Sequence, residues 1–171
     1  YQITVAQSSD FGQNTSRVDQ IFNERHRIFV RHIESWVHWY RDDIFSNRIR
    51  GMDEWRKVQG AAFDDVYVFS PSLLLNVKYG FTRWLDGDFP YSQGFDLTSL
   101  GLPGSLAAQI DPQASSFPVV AIDQFANLGE AGAFKVTTNY HNFTGGLTRT
   151  GGNHSVKWGA EFRLLREHRY T

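Results

Sequence analysis

Apolar and polar residues alternate without a break near the end of this chain. Val156, Trp158, Ala160, Phe162 and Leu164 fall on one side of the alternation, and Ser155, Lys157, Gly159, Glu161 and Arg163 on the other. Side chains along a β-strand point to opposite faces in turn, so a period of two predicts a strand with one apolar and one charged face. Residues 134–148 lead into Gly151-Gly152-Asn153 and return to about residue 166, which reads as a hairpin. Two further hairpins are expected upstream. One runs over about 15–22 and 26–34 around Asn23-Glu24-Arg25, the other over about 62–69 and 73–84 around Ser70-Pro71-Ser72.

The individual faces differ in clarity. Leu73, Leu75, Val77, Tyr79 and Phe81 oppose Leu74, Asn76, Lys78, Gly80 and Thr82. Phe63, Tyr67 and Phe69 share their face with Asp65, and Phe29 and Ile33 share theirs with Arg27 and Arg31, which leaves that strand's orientation open. The hairpins are joined by two long loops, about 35–61 and about 85–133. A short helix over 53–58 is expected in the first loop. The second holds Pro90, Pro103, Pro112 and Pro118 and suits a helical turn near 97–100 or 104–109. Short turns alternating with long loops fit an all-β, antiparallel, up-and-down set of hairpins forming part of a transmembrane β-barrel. A soluble all-β module that binds carbohydrate or another ligand is the alternative.

Composition narrows the function classes. The 171 residues carry a formal charge of −1, so no global charge argument favours nucleic acid. Cysteine is absent, which removes disulfides and thiolate metal sites. No apolar run approaches the roughly 20 residues of a membrane-spanning helix, whereas a barrel strand needs only about 9–11. A barrel would set Lys157, Glu161 and Arg163 toward the lumen and Val156, Trp158, Phe162 and Leu164 toward lipid, because a basic residue on the lipid face at mid-membrane costs about 2–4 kcal/mol. Tyr79, Phe81, Trp84, Trp158 and Tyr170 would then be candidates for interfacial aromatic girdles.

Among chemistry-bearing residues, Trp36, Trp39, Tyr40 and Trp55 fall in the first expected loop and could stack on a ligand. His32, Glu34 and His38 share one side of a strand but are too strung out for a compact metal site, so no metal is expected. Asp42-Asp43, Asp64-Asp65 and Asp86/Asp88 raise the question of a glycosidase. That reaction needs two carboxyls facing each other about 5–9.5 Å apart, which adjacency does not supply. No nucleophile elbow, zinc-helix or phosphate-loop pattern occurs; the expectation is a non-enzyme without cofactor.

Four phrases carry a family resemblance. They are Arg17-Val18-Asp19-Gln20-Ile21-Phe22-Asn23; Phe69-Ser70-Pro71-Ser72-Leu73-Leu74 with Tyr79-Gly80-Phe81-Thr82-Arg83; Gly94-Phe95-Asp96-Leu97-Thr98-Ser99-Leu100-Gly101; and Gly152-Asn153-His154-Ser155-Val156-Lys157-Trp158-Gly159-Ala160-Glu161-Phe162-Arg163. Together they resemble the barrel of TonB-dependent outer-membrane receptors, in particular the Oar-like group with a carboxypeptidase-regulatory-like domain. The resemblance implies a bacterial outer-membrane location and the import of a glycan, peptide or metal chelate. The implied partners are outer-membrane lipid, the remaining barrel strands, a plug domain and, through that plug, TonB. Such receptors have about 22 strands around a plugged lumen; this chain offers about six and has no counterpart of the plug.

Overall fold

Six long strands pair in chain order into one antiparallel meander: β1 (Ser8–Asn23), β2 (His26–Arg41), β3 (Met52–Ser70), β4 (Leu73–Pro90), β5 (Phe134–Gly151) and β6 (His154–Tyr170). The computed structural model describes residues 4, 7–41, 43–130 and 132–170. Tight turns at 24–25, 71–72 and 152–153 lie at one end of the sheet, and the connections 42–51 and 91–133 at the other. The chemistry of each tight turn fits its place. Asn23 Oδ1 accepts the Arg25 N–H at 2.8 Å, Ser70 Oγ accepts the Ser72 N–H at 3.3 Å, and Gly152 takes φ +57°, where a side chain is strained.

The expected hairpins are all present but longer than the alternation suggested. The first long loop was expected over 35–61; residues 35–41 instead complete β2, and 52–61 begin β3. The helix expected over 53–58 is therefore strand. The second loop runs over 91–133 and contains both anticipated helical turns, a 3-10 turn at Leu97–Leu100 and the short helix α1 at Gly104–Ala107. These extensions carry aromatic and charged residues on both faces, so nothing alternates in polarity there.

Beyond one-residue shifts next to the first two turns, between Ile21 and Asn23 and between Val68 and Ser70, the registers run unbroken and fix which residues share a face. Tyr67, Leu75, Leu147 and Trp158 form one cross-strand row, and Phe63, Tyr79, Phe143 and Phe162 another. The opposite face collects Asp64, Lys78, Thr144 and Glu161 in one row, with Phe29 joining from β2. This resolves β2: Arg27, Phe29, Arg31 and Ile33 share the face of Lys78 and Glu161. Asp64 and Asp65 point to opposite sides. One concavity of about 780 Å³ is lined from all six strands, by Arg17, Asp19, Phe29, Asp64, Lys78, Lys157 and Glu161 among others. The sheet is thus curled around its polar face, and the apolar face is convex.

The sheet has no core of its own. Among the described residues no large side chain is fully buried, and Phe143, Trp158 and Phe162 are 48, 50 and 62% exposed. The buried apolar residues are Leu97, Phe117, Ala133 and Val136, gathered on or beside the 91–133 loop. The sheet is also open: β1 and β6 each have one strand neighbour.

Close strand approach is demanded at Gly159, where an added Cβ would lie 2.8 Å from the Gly145 carbonyl oxygen. Backbone cannot swing aside as a side chain can. Gly159→Ala should therefore cost about 1–3 kcal/mol, read as a lower melting temperature of the detergent-solubilised protein by gel mobility. An unchanged melt would show that β5 and β6 yield freely at this point.

Candidate functional site

Two surfaces and one rim cluster are candidates for function. On the convex face, apolar residues fill positions 61–69 of β3, 73–81 of β4 and 156–164 of β6, with Phe143 and Leu147 between them on β5. About nine residues at ~3.3 Å each, tilted by roughly 40°, span about 23 Å. That matches the ~25 Å apolar band of a barrel wall. Asp65 is the acid inside this band, and it is not bare: its carboxylate lies 3.0 Å from His26 Nε2, and His26 is stacked by Phe22 and edged by Tyr67.

Above the band, on the long-loop side, both faces turn polar. Register brings Arg56 opposite Asp86 and Glu54 opposite Asp88 on the concave face. The Arg56 guanidinium donates to Asp86 at 3.1 Å and lies 5.3 and 4.9 Å from the ring centres of Trp39 and Trp84. Cation–π contacts of this kind contribute about 0.5–2 kcal/mol each. Arg41 pairs with Glu54 at 2.9 Å. The cluster thus offers two indole faces, a clamped guanidinium and three carboxylates within one wall.

The two long connections leave the sheet at this end. Asp43 Oδ1 accepts the N–H groups of Asn47 and Arg48 at 3.1 and 3.0 Å, organising the 43–51 turn. In the 91–133 loop, Ser92 Oγ accepts the Phe117 N–H at 3.1 Å, and Phe95 packs edge-on against Phe117 at 5.2 Å. Arg50 joins the two loops, 3.3 Å from both the Glu130 carboxylate and the Asn127 carbonyl.

The structure redistributes the residues expected from sequence. Trp36, Trp39, Tyr40 and Trp55 are strand residues, not loop residues, and they do not form one site. Trp39 faces the concave side, while Trp36, Tyr40 and Trp55 share the convex register rows, Trp36 covering Gly12 and Trp55 covering Gly87. Trp84 is likewise concave, so it leaves the expected girdle, and Tyr170 lies beyond the band at the far end of β6. Lys157, Glu161 and Arg163 share the concave face, with Arg163 bonded to Glu161 at 2.8 and 2.9 Å. Val156, Trp158, Phe162 and Leu164 share the convex one.

His32, Glu34 and His38 do align on one side of β2. Glu34 is engaged by Lys57 at 2.5 Å, and His38 bonds Asp53. No metal-competent cluster exists among the described residues. Of the acid pairs, Asp42 lies outside the described residues, and Asp64 is held by Asn76 at 2.8 Å. The Arg56 cluster itself was missed. Counting back from the 71–72 turn alone would have missed it by one residue, pairing Arg56 with Gly87; the one-residue register shift between Val68 and Ser70 is what brings Arg56 against Asp86 and Glu54 against Asp88.

The rim acids lie beyond the apolar band, and their electrostatics follow from burial. Burial, then the neighbouring charge of Asp86, raises the Asp88 carboxyl above its ordinary value. Burial also raises Glu54, against the pull of Arg41. A carboxyl raised in the folded state is penalised when ionised. The penalty is full above the raised value and vanishes below the ordinary value of 3.8. Asp88→Asn should therefore melt above the unaltered protein at neutral pH. The gap should close as pH falls toward that value, measured by melts in detergent across a pH series; a gap constant with pH would refute the assignment.

Among the described residues no helix is long and apolar enough to cross a membrane. No curated protein and no solved structure matches the chain. A family model does, over residues 1–171, and its description is an outer membrane beta barrel domain. Matched over its whole length, and built as a curled meander with a polar concave side and an apolar convex band, the chain belongs to the outer membrane beta barrel domain family and resides in the bacterial outer membrane.

Proposed function

We propose that this chain walls part of a TonB-dependent receptor that captures a nutrient, such as a glycan, a peptide or a metal chelate, and imports it. The observation that carries the reading is the Arg56 cluster, set on the concave face at the rim where the long loops meet. Indole faces beside carboxylates and a guanidinium suit a ligand with both flat apolar and hydroxyl or amide surfaces. Placement at the loop rim suits capture from outside, since long loops of such barrels are extracellular. The family resemblance of the hairpin phrases supports the same reading.

In this reading Lys157, Glu161 and Arg163 line the lumen, and Val156, Trp158, Phe162 and Leu164 meet lipid. A spanning barrel must close, and the smallest single-chain barrels use about eight strands. The free edges of β1 and β6 therefore pair with further strands, and the lumen holds a plug through which TonB acts. We assign binding and transport rather than catalysis. Asp86 bonds Arg56, and Asp64 and Asp65 face opposite ways, so neither is half of an opposed acid–base pair. The soluble-module alternative falls with the outer-membrane family assignment.

The test is uptake. A panel of glycans, peptides and metal chelates is screened by Trp fluorescence of the purified protein, and hits are followed in cells. Trp39→Ala with Trp84→Ala should weaken binding by about 2 kcal/mol, roughly thirtyfold, and Trp36→Ala should not. Uptake should stop when TonB is removed. Uptake that continues without TonB would overturn the receptor reading, and equal binding by the double variant would remove the rim cluster from it.

A further inference from the structure

The outward positions of β4, β5 and β6 contain no acidic residue. Reading up the convex face from the short turns, β4 presents Leu73, Leu75, Val77, Tyr79, Phe81 and then Arg83; β6 presents Val156, Trp158, Ala160, Phe162, Leu164 and then Arg166. All acids of these strands, Asp86, Asp88, Glu161 and Glu167, occupy concave positions. The segregation is one-sided. On β1–β3 the convex lysine is answered, Lys57 by Glu34, and His38 bonds Asp53.

Register puts Arg83, Asn139 and Arg166 in a single row, directly above the row Phe81, His141 and Leu164 that ends the apolar band. Strands lie about 4.8 Å apart, so the two arginine backbones are about 10 Å from each other. Both side chains are exposed, and neither has a hydrogen-bond or ion-pair partner among the described residues. Two unpaired guanidiniums at this spacing repel unless an anion lies between them. Lys135 stands on β5 two outward positions farther up, again without a carboxylate neighbour on that face.

We propose that Arg83 and Arg166, with the Asn139 amide between them, form a docking ledge for the phosphate-bearing headgroup of an outer-leaflet lipid. The ledge sits where the apolar band stops on the long-loop side, the height at which a lipid's acyl chains would cover the band and its phosphate would meet the row. Guanidinium recognises phosphate through charge-assisted, frequently bidentate bonds, and its long aliphatic stem tolerates the edge of the apolar layer. The assignment rests on the outer-membrane setting and is independent of the nutrient-receptor reading.

The test uses the full-length protein purified in dodecyl maltoside, titrated with diphosphoryl lipid A or its dephosphorylated form, with retained lipid counted by native mass spectrometry. The unaltered protein should retain the diphosphoryl form in preference to the dephosphorylated one. Arg83→Gln with Arg166→Gln should lower that retention about tenfold, while Arg149→Gln, at the opposite rim of the same face, should leave it unchanged. Asn139→Asp supplies an internal counter-charge with both arginines kept, and should also release the lipid if the double variant fails to fold. Equal retention of the two lipids, wild-type retention by Asn139→Asp, or displacement by inorganic phosphate at equimolar concentration would each overturn the proposal.

Discussion

The inter-strand ladder is the interaction on which everything else here depends. A sheet with no buried large side chain draws little from packing, so its order comes from the five antiparallel pairings that join β1 through β6. In water each such hydrogen bond contributes only about 0.5–1.5 kcal/mol net, because the unfolded chain bonds water equally well. Hydrocarbon changes that balance: an unpaired peptide group there costs several kcal/mol, so a complete ladder becomes obligatory rather than marginal. The same solvent turns the 62% exposure of Phe162 from a liability into a requirement. The sheet's open edges and coreless faces are coherent only as the wall of a membrane barrel.

What was legible in the sequence was the part of each strand where the two faces differ in polarity. From Ser155 to Leu164 the convex side is apolar and the concave side charged, so polarity alternates and the strand can be read directly. At 35–41 and 52–60 both faces lie above the band, and Trp36 and Trp39 sit on opposite sides among His, Arg, Asp and Glu. Alternation in polarity vanishes there although alternation in direction persists, so these segments read as loop. The misplaced aromatic site follows from that one error: four aromatics that look clustered in a loop are divided by strand geometry between two faces. The helical turns of the 91–133 loop were visible because caps and prolines are local signals; Asp96 accepts the Thr98 N–H at 2.9 Å.

The rim cluster shows how the ladder delivers chemistry as well as shape. Arg56 and Asp86 are thirty residues apart in the chain, yet the 71–72 turn and the one-residue register shift between Val68 and Ser70 together fix them as direct neighbours. Because both strands are held by pairing along their whole length, the guanidinium is clamped between two indoles without help from a core. The loops above are built differently. Lacking a ladder, the 91–133 segment generates its own small nucleus from Leu97, Phe117 and Ser92, and Arg50 then fastens it to the neighbouring turn.

Register also explains why the charges are segregated as they are. A slip of one residue between neighbours would exchange the two faces of every strand beyond it, because side chains repeat every two positions. In β6 that would carry Lys157, Glu161 and Arg163 into lipid, and each cation near mid-membrane would cost about 2–4 kcal/mol. Val156, Trp158 and Phe162 would enter the lumen at the same time. The charged concave face therefore penalises every slip by an odd number of residues. The acid-free convex face of β4–β6 is the complement of that rule, and the arginines that remain on it stand only at or beyond the two edges of the apolar band, Arg149 in its first row and Arg83 and Arg166 past its last.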